Sequence, residues 1–233
     1  MVYNRLPNNL PEILRARGLK VRELPGWKTA GRPLTSGQYD PIAVLGHHTA
    51  SAVSSSDEAV LSLLVRGRSD LVGPLCQLAL LRDGTVVIVA SGRANHAGTA
   101  KVSGPVPAGD GNKLYIGIEA FNNGVGEVWP KVQMDAYDLL VATLLEDVLG
   151  GKDASYYRGH KESSVTGKID PTFDMNKARI RVAAKLEEFR APDPTRGEKI
   201  DDALAALKKA KGTGRRGELI SRAKKILKKI KFL

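Results

Sequence analysis

Short apolar, β-rich runs alternate with helical segments, and this alternation limits the fold more than any other feature of the sequence. The strand-like runs are IAVLG (42–46), the two halves of QLALLRDGTVVIVA (77–90) and LYIGIEAF (114–121). Asp83-Gly84, between the halves of the second run, is a strong hairpin signal. Helical periodicity or capping residues mark 54–67, 135–150 and 176–190. Strands interleaved with helices predict an α/β domain with a central mixed β-sheet flanked by helices.

The first 40 residues are rich in Pro and Gly and are expected to form an irregular wrapping segment, with one short helix near Pro11–Arg17. Apolar runs stay well below the roughly 20 residues that span a bilayer. The N-terminus lacks the apolar core and small-residue cleavage site of a signal peptide, so none is expected. The single cysteine, Cys76, excludes an intramolecular disulfide and is compatible with a reducing cytoplasm.

Positive charge is concentrated at the C-terminal end of the chain. Residues 199–233 hold twelve Lys/Arg and three Asp/Glu, a net charge of +9 out of the chain's +11. Two amphipathic patterns in this stretch predict a small basic helical hairpin. We therefore expect a main domain over 1–190, a Pro/Gly-containing linker over 191–198 and a basic helical module over 199–233. The module should seek an anionic polymer or surface.

The candidate metal-binding side chains come from distant parts of the chain. The four histidines are His47, His48, His96 and His160. His47 ends a predicted strand, while His160 begins the loop GHKESSVTGKIDP (159–171), which also contains Asp170. Two histidines and an aspartate would suit a catalytic zinc site that keeps one position for water. The alternative is a buried structural histidine and an ordinary solvated loop.

Four sequence blocks, taken in order, carry a resemblance to a known family. They are VLGHHTA (44–50), LLRDGTVVIVASGRANHAG (80–98), IGIEAFNNG (116–124) and GHKESSVTGKIDP (159–171). With them the chain resembles the zinc-dependent N-acetylmuramoyl-L-alanine amidases, a family that includes the peptidoglycan recognition proteins and amidase-type phage lysozymes. The resemblance covers about 41–190, the expected core of a catalytic domain with that family's fold.

The resemblance implies a role for each matching residue. His47, His160 and Asp170 would ligate Zn²⁺, because this branch of the family uses aspartate as the third ligand. Glu119 would be the general base and then the general acid, since a carboxylate beside activated water can take and return a proton. Lys168 would stabilise the oxyanion that forms on the attacked carbonyl.

Other residues in or near the blocks are open to more than one interpretation. His96, Asn95 and His48 are expected to contact substrate, although Asn95 stands where the family usually has tryptophan, and His96 is equally well read as structural. Strand alternation places His47 and His48 on opposite faces of the sheet. Cys76 is expected to be a buried small side chain rather than a ligand. Lys161 and Glu162 are expected to face solvent and to have no catalytic role. Trp27 is expected to pack against other side chains rather than stack on a sugar.

The function implied is hydrolysis of the amide between N-acetylmuramic acid and L-alanine in peptidoglycan. A monomeric phage endolysin, present in the host cytoplasm before release and acting at the cell wall, is the leading hypothesis. A cytoplasmic amidase that recycles wall fragments and a non-catalytic peptidoglycan-binding protein are the alternatives. Residues 199–233 would bind anionic wall polymer or a membrane surface, or pack on themselves, on the catalytic domain or on another copy of the chain. Nucleic acid is not an expected partner, because no aromatic residues are interleaved with the basic ones.

Overall fold

The computed structural model describes residues 5–191 together with Asp201, Ala205, Ile220 and Ser221. The chain divides into two compact units, residues 1–187 and residues 188–233. The four isolated residues are helical, in keeping with the predicted C-terminal helices. The rest of the predicted linker and basic module lies outside the described residues. None of the described helices is both long and apolar enough to cross a membrane.

The strands and helices that the sequence predicts are present in the predicted order, with further short strands between residues 67 and 110. Over the described residues the strands are β1 (Val21–Glu23), β2 (Ala43–His48), β3 (Gly67–Arg68), β4 (Leu71–Val72), β5 (Leu78–Leu80), β6 (Val86–Ile88), β7 (Thr99–Ala100), β8 (Gly109–Asp110), β9 (Tyr115–Ala120) and β10 (Tyr157–Gly159). The helices are α1 (Leu10–Ala16), α2 (Asp57–Arg66), α3 (Gly111–Leu114), α4 (Lys131–Thr143), α5 (His160–Ser163) and α6 (Met175–Arg190). A π-helical turn, Leu144–Val148, continues α4 to the positive-φ glycines at its end.

Six strands form the central sheet in the order β1-β6-β5-β9-β2-β10. The pairs β1–β6, β5–β9, β9–β2 and β2–β10 are parallel. The β5–β6 hairpin is antiparallel and turns at Asp83-Gly84, as predicted. The sheet is therefore mixed, which confirms the predicted fold class. The expectation that 1–40 is irregular apart from one short helix is wrong, because β1 pairs with β6 and forms one edge of the sheet.

Each face of the sheet is covered by helices that bury its apolar residues. On one face, the α2 residues Val60, Leu61 and Leu64 pack with strand residues such as Ala79 and remove their apolar surface from water. On the other face, α4 lies so close that a Cβ on Gly46 would contact the hydroxyl of Tyr137 at 2.7 Å. The α6 helix is tied to α4 by an ion pair between Arg181 and Asp138. The resulting three layers position the ends of β2, β9 and β10.

Candidate metal centre and catalytic cleft

Strand register brings the candidate residues to one edge of the sheet. His47 in β2 pairs with Glu119 in the parallel strand β9. On the other side of β2, Gly159 pairs with Gly46, so His160 follows directly beside His47. The carboxyl ends of parallel strands meet at the same edge, where ligand sites of α/β sheets commonly form. Three residues distant in sequence are thereby placed together.

His47, His160 and Asp170 converge at this edge. The Nδ1 atom of His47 lies 3.0 Å from Oδ2 of Asp170, and Nδ1 of His160 lies 3.2 Å from the same oxygen. One potential ligand atom from each residue lies within 4.8 Å of the other two. Both histidines are buried. The backbone N–H of Lys161 donates to the Asp170 carbonyl at 2.7 Å and ties the loop to α5.

The donor set of this cluster fits a zinc ion. Around tetrahedral zinc with bonds of about 2.0–2.1 Å, neighbouring ligand atoms are separated by roughly 3.3 Å, close to the two His–Asp distances. Burial lowers the pKa of His47 to about 4, which keeps the imidazole neutral as ligation requires. Burial alone would raise the pKa of Asp170, but hydrogen bonds from His160 and His47 outweigh it and hold that pKa below its usual range. The aspartate is therefore an ionised ligand candidate.

Glu119 lies next to the cluster, and its pKa is shifted in the opposite direction from that of Asp170. Its Oε2 atom is buried and has no hydrogen-bond partner among the described residues. Burial, together with the nearby Asp170 carboxylate, raises the pKa of Glu119 to about 8. The positive charges of Lys168 and Arg68 oppose that rise. Two carboxyl groups with separated pKa values suit separate tasks, ligation for one and proton transfer for the other.

His96 is held against the back of His47. Its Nδ1 lies 3.0 Å from Nε2 of His47, the ring nitrogen turned away from Asp170. A Cβ on Gly117 would approach His96 Nδ1 to 2.6 Å, so glycine leaves the room that this ring occupies. Asn112 Oδ1 accepts the backbone N–H of His96 at 2.9 Å and fixes the loop. His96 thus supports His47 in addition to lining the cleft.

The remaining candidate residues line the same cleft, which has a volume of about 530 Å³. Lys168 is exposed there and is close enough to lower the pKa of Glu119. Asn95 also lines the cleft, and its side chain donates to the Val72 carbonyl at 2.8 Å. His48, which strand alternation places opposite His47 on β2, also lines the cleft and packs where a Cβ on Gly124 would lie.

A sequence profile of the N-acetylmuramoyl-L-alanine amidase family (Amidase_2) matches residues 37–173, more than half of the chain. The chain belongs to this amidase family. The resemblance inferred from the four sequence blocks is confirmed. A comparison with curated proteins found no significant match.

Solved structures of other amidases are similar to this chain. The selenomethionine derivative of AmpD aligns with a TM-score of 0.50 at 18% identity, covering 70% of this chain and 93% of that one. The amidase LysC from Clostridium intestinale URNW aligns with a TM-score of 0.48 at 16% identity, covering 70% and 97%. AmpDh3 from Pseudomonas aeruginosa, in complex with anhydromuramic pentapeptide, aligns with a TM-score of 0.49 at 16% identity, covering 84% and 77%. The likeness to AmpD shows a shared fold.

Glu162 and Lys161 do not face solvent as the sequence predicted. Glu162 is half-buried, and its carboxylate accepts the Gly159 N–H at 2.9 Å and pairs with Arg179 at 2.8 Å. Lys161 is also half-buried and donates to the Phe173 carbonyl at 2.7 Å. The expectation of solvent-facing side chains is wrong, because Glu162 caps the turn that presents His160. Two packing predictions are confirmed, since Cys76 and Trp27 are both buried.

Sequence reasoning missed several residues that position the site in this amidase. Arg68, at the end of the β3–β4 hairpin, lines the cleft and acts on Glu119. Gln77 is fully buried and bridges two backbones, accepting from the Gly117 N–H at 2.7 Å and donating to the Gly92 carbonyl at 3.1 Å. A single arginine in a two-residue strand, or a single glutamine just before a strand, has no distinctive sequence pattern. Their roles depend on which strands become neighbours.

Proposed function

We propose that this family member is a zinc-dependent N-acetylmuramoyl-L-alanine amidase that hydrolyses the amide between the lactyl group of N-acetylmuramic acid and L-alanine of the stem peptide. One observation carries the proposal: the convergence of His47 Nδ1 and His160 Nδ1 on one Asp170 oxygen beside Glu119, whose buried Oε2 atom has no hydrogen-bond partner among the described residues. Burying a carboxyl oxygen without a hydrogen-bond partner costs folding free energy. A protein that only binds peptidoglycan, without cleaving it, would have no need for such a group.

The three ligand candidates would hold zinc, which would acidify a water molecule and polarise the amide carbonyl. Glu119 takes the proton of the attacking water and passes it to the departing amine of L-alanine. A general acid–base group works best when its pKa lies near the operating pH. The pKa of Glu119 should fall from about 8 toward neutrality when the cation site is filled, because a nearby positive charge favours the carboxylate.

Lys168 supplies positive charge at the mouth of the cleft. Its ammonium acts on Glu119 electrostatically and is exposed, so it is free to meet the oxygen of the attacked carbonyl. Charge fixed where an oxyanion develops stabilises the transition state more than the ground state. We assign Lys168 this role.

His96 acts through His47 and is a positioning residue. With His47 Nδ1 directed to the metal site, the Nε2–H of His47 donates to His96 Nδ1. A ligating histidine usually gives its second N–H to such a partner, which fixes its tautomer and orientation. Gly117 and Asn112 hold His96 in place for this contact.

The test is mass spectrometry of peptidoglycan digested with the protein, with and without a chelator. New free amino groups on L-alanine, and intact glycan chains, are expected without chelator, and no products with it. New reducing sugar ends would contradict the amidase proposal, and full activity after chelation would contradict zinc dependence.

For the biological role, we propose phage-type lysis, in which the protein collects in the host cytoplasm and then acts at the cell wall as a monomer. The +9 charge of residues 199–233 supports binding to anionic wall polymer or a membrane surface. Deleting these residues should weaken sedimentation with purified walls at low salt. Equal sedimentation of the truncated chain would exclude this targeting role.

Fragment recycling is the competing role, and the two differ in substrate size. Comparable amounts of intact sacculi and of soluble muropeptides, each assayed for release of L-alanine amino ends, separate them. Faster turnover of sacculi supports lysis. Turnover confined to soluble muropeptides supports recycling.

A further inference from the structure

A second pocket is lined by three arginines and shares no lining residue with the catalytic cleft. Its cavity has a volume of about 240 Å³. Arg5, Arg32 and Arg93 line it together with Tyr39 and several backbone-exposing glycines. Arginine offers only hydrogen-bond donors, in a planar fork that matches oxyanions. A pocket of this composition selects negative charge.

The arginines are incompletely neutralised. Arg93 forms an ion pair with Asp110, at 2.7 Å between Nη1 and Oδ2. Among the described residues, neither Arg5 nor Arg32 has a carboxylate within 4.0 Å, and the side chain of Arg32 makes one hydrogen bond, a long one of 3.5 Å to Ser36. The three arginines and Asp110 therefore leave a formal charge of +2 around the pocket.

Unpaired polar atoms are concentrated in the same place. Eight buried side-chain polar atoms lack a hydrogen-bond partner within the described residues. Three belong to residues that line the catalytic cleft, and three belong to residues of this pocket: Arg32 Nε, Arg93 Nε and Tyr39 Oη. Buried polar groups are normally paired, so a cluster of unpaired ones needs an explanation. At the pocket all three are able to donate.

Glycines keep the pocket open beside these donors. Gly37 has φ +112°, and a Cβ there would lie 3.3 Å from Nη1 of Arg93. A Cβ on Gly92 would similarly lie 3.2 Å from Nη1 of Arg5. Larger residues would fill space next to both guanidinium groups.

We propose that this pocket is a binding site for a phosphate dianion, either inorganic phosphate or the phosphoryl group of a phosphomonoester. The charge of −2 matches the +2 of the pocket, and a phosphoryl group has enough acceptor oxygens for several guanidinium forks and the Tyr39 hydroxyl. A carboxylate carries half that charge and fewer acceptors. The cavity holds a phosphoryl group with a few attached atoms, and the exposed rim at Arg5 and Leu34 leaves room for the rest of an ester.

The test is an amide NMR titration of the full chain at constant ionic strength, following Gly37 and Gly92. The separate arms are inorganic phosphate, glycerol 3-phosphate, the diester glycerophosphoglycerol, and acetate. Saturable shifts at both glycines with phosphate or with the monoester are expected, and the stronger of these two identifies the source of the phosphoryl group. Reading the pocket amides separates this site from phosphate bound by residues 199–233.

Arg32→Gln should weaken the binding about tenfold or more, since hydrogen bonds to charged groups are the strong ones. Tyr39→Phe, which removes one donor without charge, should weaken it about fivefold. Arg66→Gln, the same change at an exposed arginine of α2, should leave the titration unchanged. No saturable shift with phosphate or monoester, binding of the diester or acetate alone, or an unaltered titration in Arg32→Gln would each overturn the proposal.

Discussion

Among the described residues, the catalytic cleft and the arginine pocket each contain buried polar atoms that lack a hydrogen-bond partner, but the chemistry of the two sites is opposite. At the cleft these atoms are Glu119 Oε2, His48 Nδ1 and His96 Nε2, beside the His47–Asp170 contact. At the pocket they are guanidinium nitrogens and a phenol. The Glu119 carboxyl beside the three metal-ligand candidates favours a cation, whereas guanidinium groups favour an anion. The functional groups that line each site therefore indicate the class of ligand.

The two regions also differ in how the chain builds them. The cleft lies at the ends of β2, β9 and β10, inside the family match of 37–173. The pocket takes Arg5 and Arg32 from the N-terminal segment before that match. The loop between β6 and β7 contributes to both sites, because Arg93 lines the pocket and Asn95 lines the cleft. Variants in each region should affect one ligand and spare the other.

The largest effect is expected from removing a ligand candidate. His160→Ala should abolish stoichiometric zinc and lower kcat/KM by at least about a thousandfold, because several kcal/mol of transition-state stabilisation depend on the metal. Metal analysis and an amidase assay measure both, with Arg66→Gln as the matched surface control. Phosphate shifts at Gly37 should persist in the same variant. Zinc retained at full stoichiometry in His160→Ala would remove this residue from the ligand set.

Glu119→Gln should separate proton transfer from metal binding. The amide keeps the size of the side chain but cannot exchange a proton, so kcat should fall about 10²–10⁴-fold. Zinc content should stay at the wild-type level. An active Glu119→Gln variant would assign the proton transfer to another residue.

Lys168→Met should lower kcat about 10²–10³-fold with little change in zinc content, as expected for loss of one oxyanion-stabilising group. Lys168→Arg, which keeps the charge, should recover part of the loss. If the methionine variant changes only KM, Lys168 contacts substrate equally in the ground and transition states.

His96→Ala should weaken zinc binding by about 10–100-fold, the range found for partners of ligating histidines. Gly117→Ala tests the same contact independently, because its Cβ would press on His96 Nδ1. Both are read by competition with a metallochromic chelator. Unchanged zinc affinity in both variants, with a raised KM, would restore His96 to a substrate-contact role.

The smallest effect, on stability, concerns Glu119 in the chelated protein. Its folded pKa of about 8 lies above the ordinary value of 4.5, so the folded state binds the extra proton between these values. The stabilisation is complete below about pH 4.5 and is lost as pH rises toward 8. Glu119→Gln should therefore gain in Tm relative to the wild type between pH 5 and 8. A Tm difference independent of pH would contradict the raised pKa.

The sequence by itself determined the elements with strong local signals. The Asp83-Gly84 hairpin, the apolar runs of β2 and β9 and the capped helices all have periodicities or turn residues that act over a few positions. The resemblance of four sequence blocks to the amidase family identified five site residues: His47, Glu119, His160, Lys168 and Asp170. All five line the same cleft in the structure, with Lys168 at its rim. These residues could be identified from the sequence because each lies within a recognisable block of neighbouring residues.

Only the tertiary structure decided features that depend on which segments become neighbours. The three-residue strand β1 is too short to show a period, and its pairing with β6 defines it. Glu162 looks like any loop carboxylate until Arg179 and the Gly159 N–H meet it. His96 turns from an isolated histidine into the support of His47 only because Gly117 lies beneath it. The arginine pocket likewise joins residues 5, 32 and 93, whose charges have no local relation in the sequence.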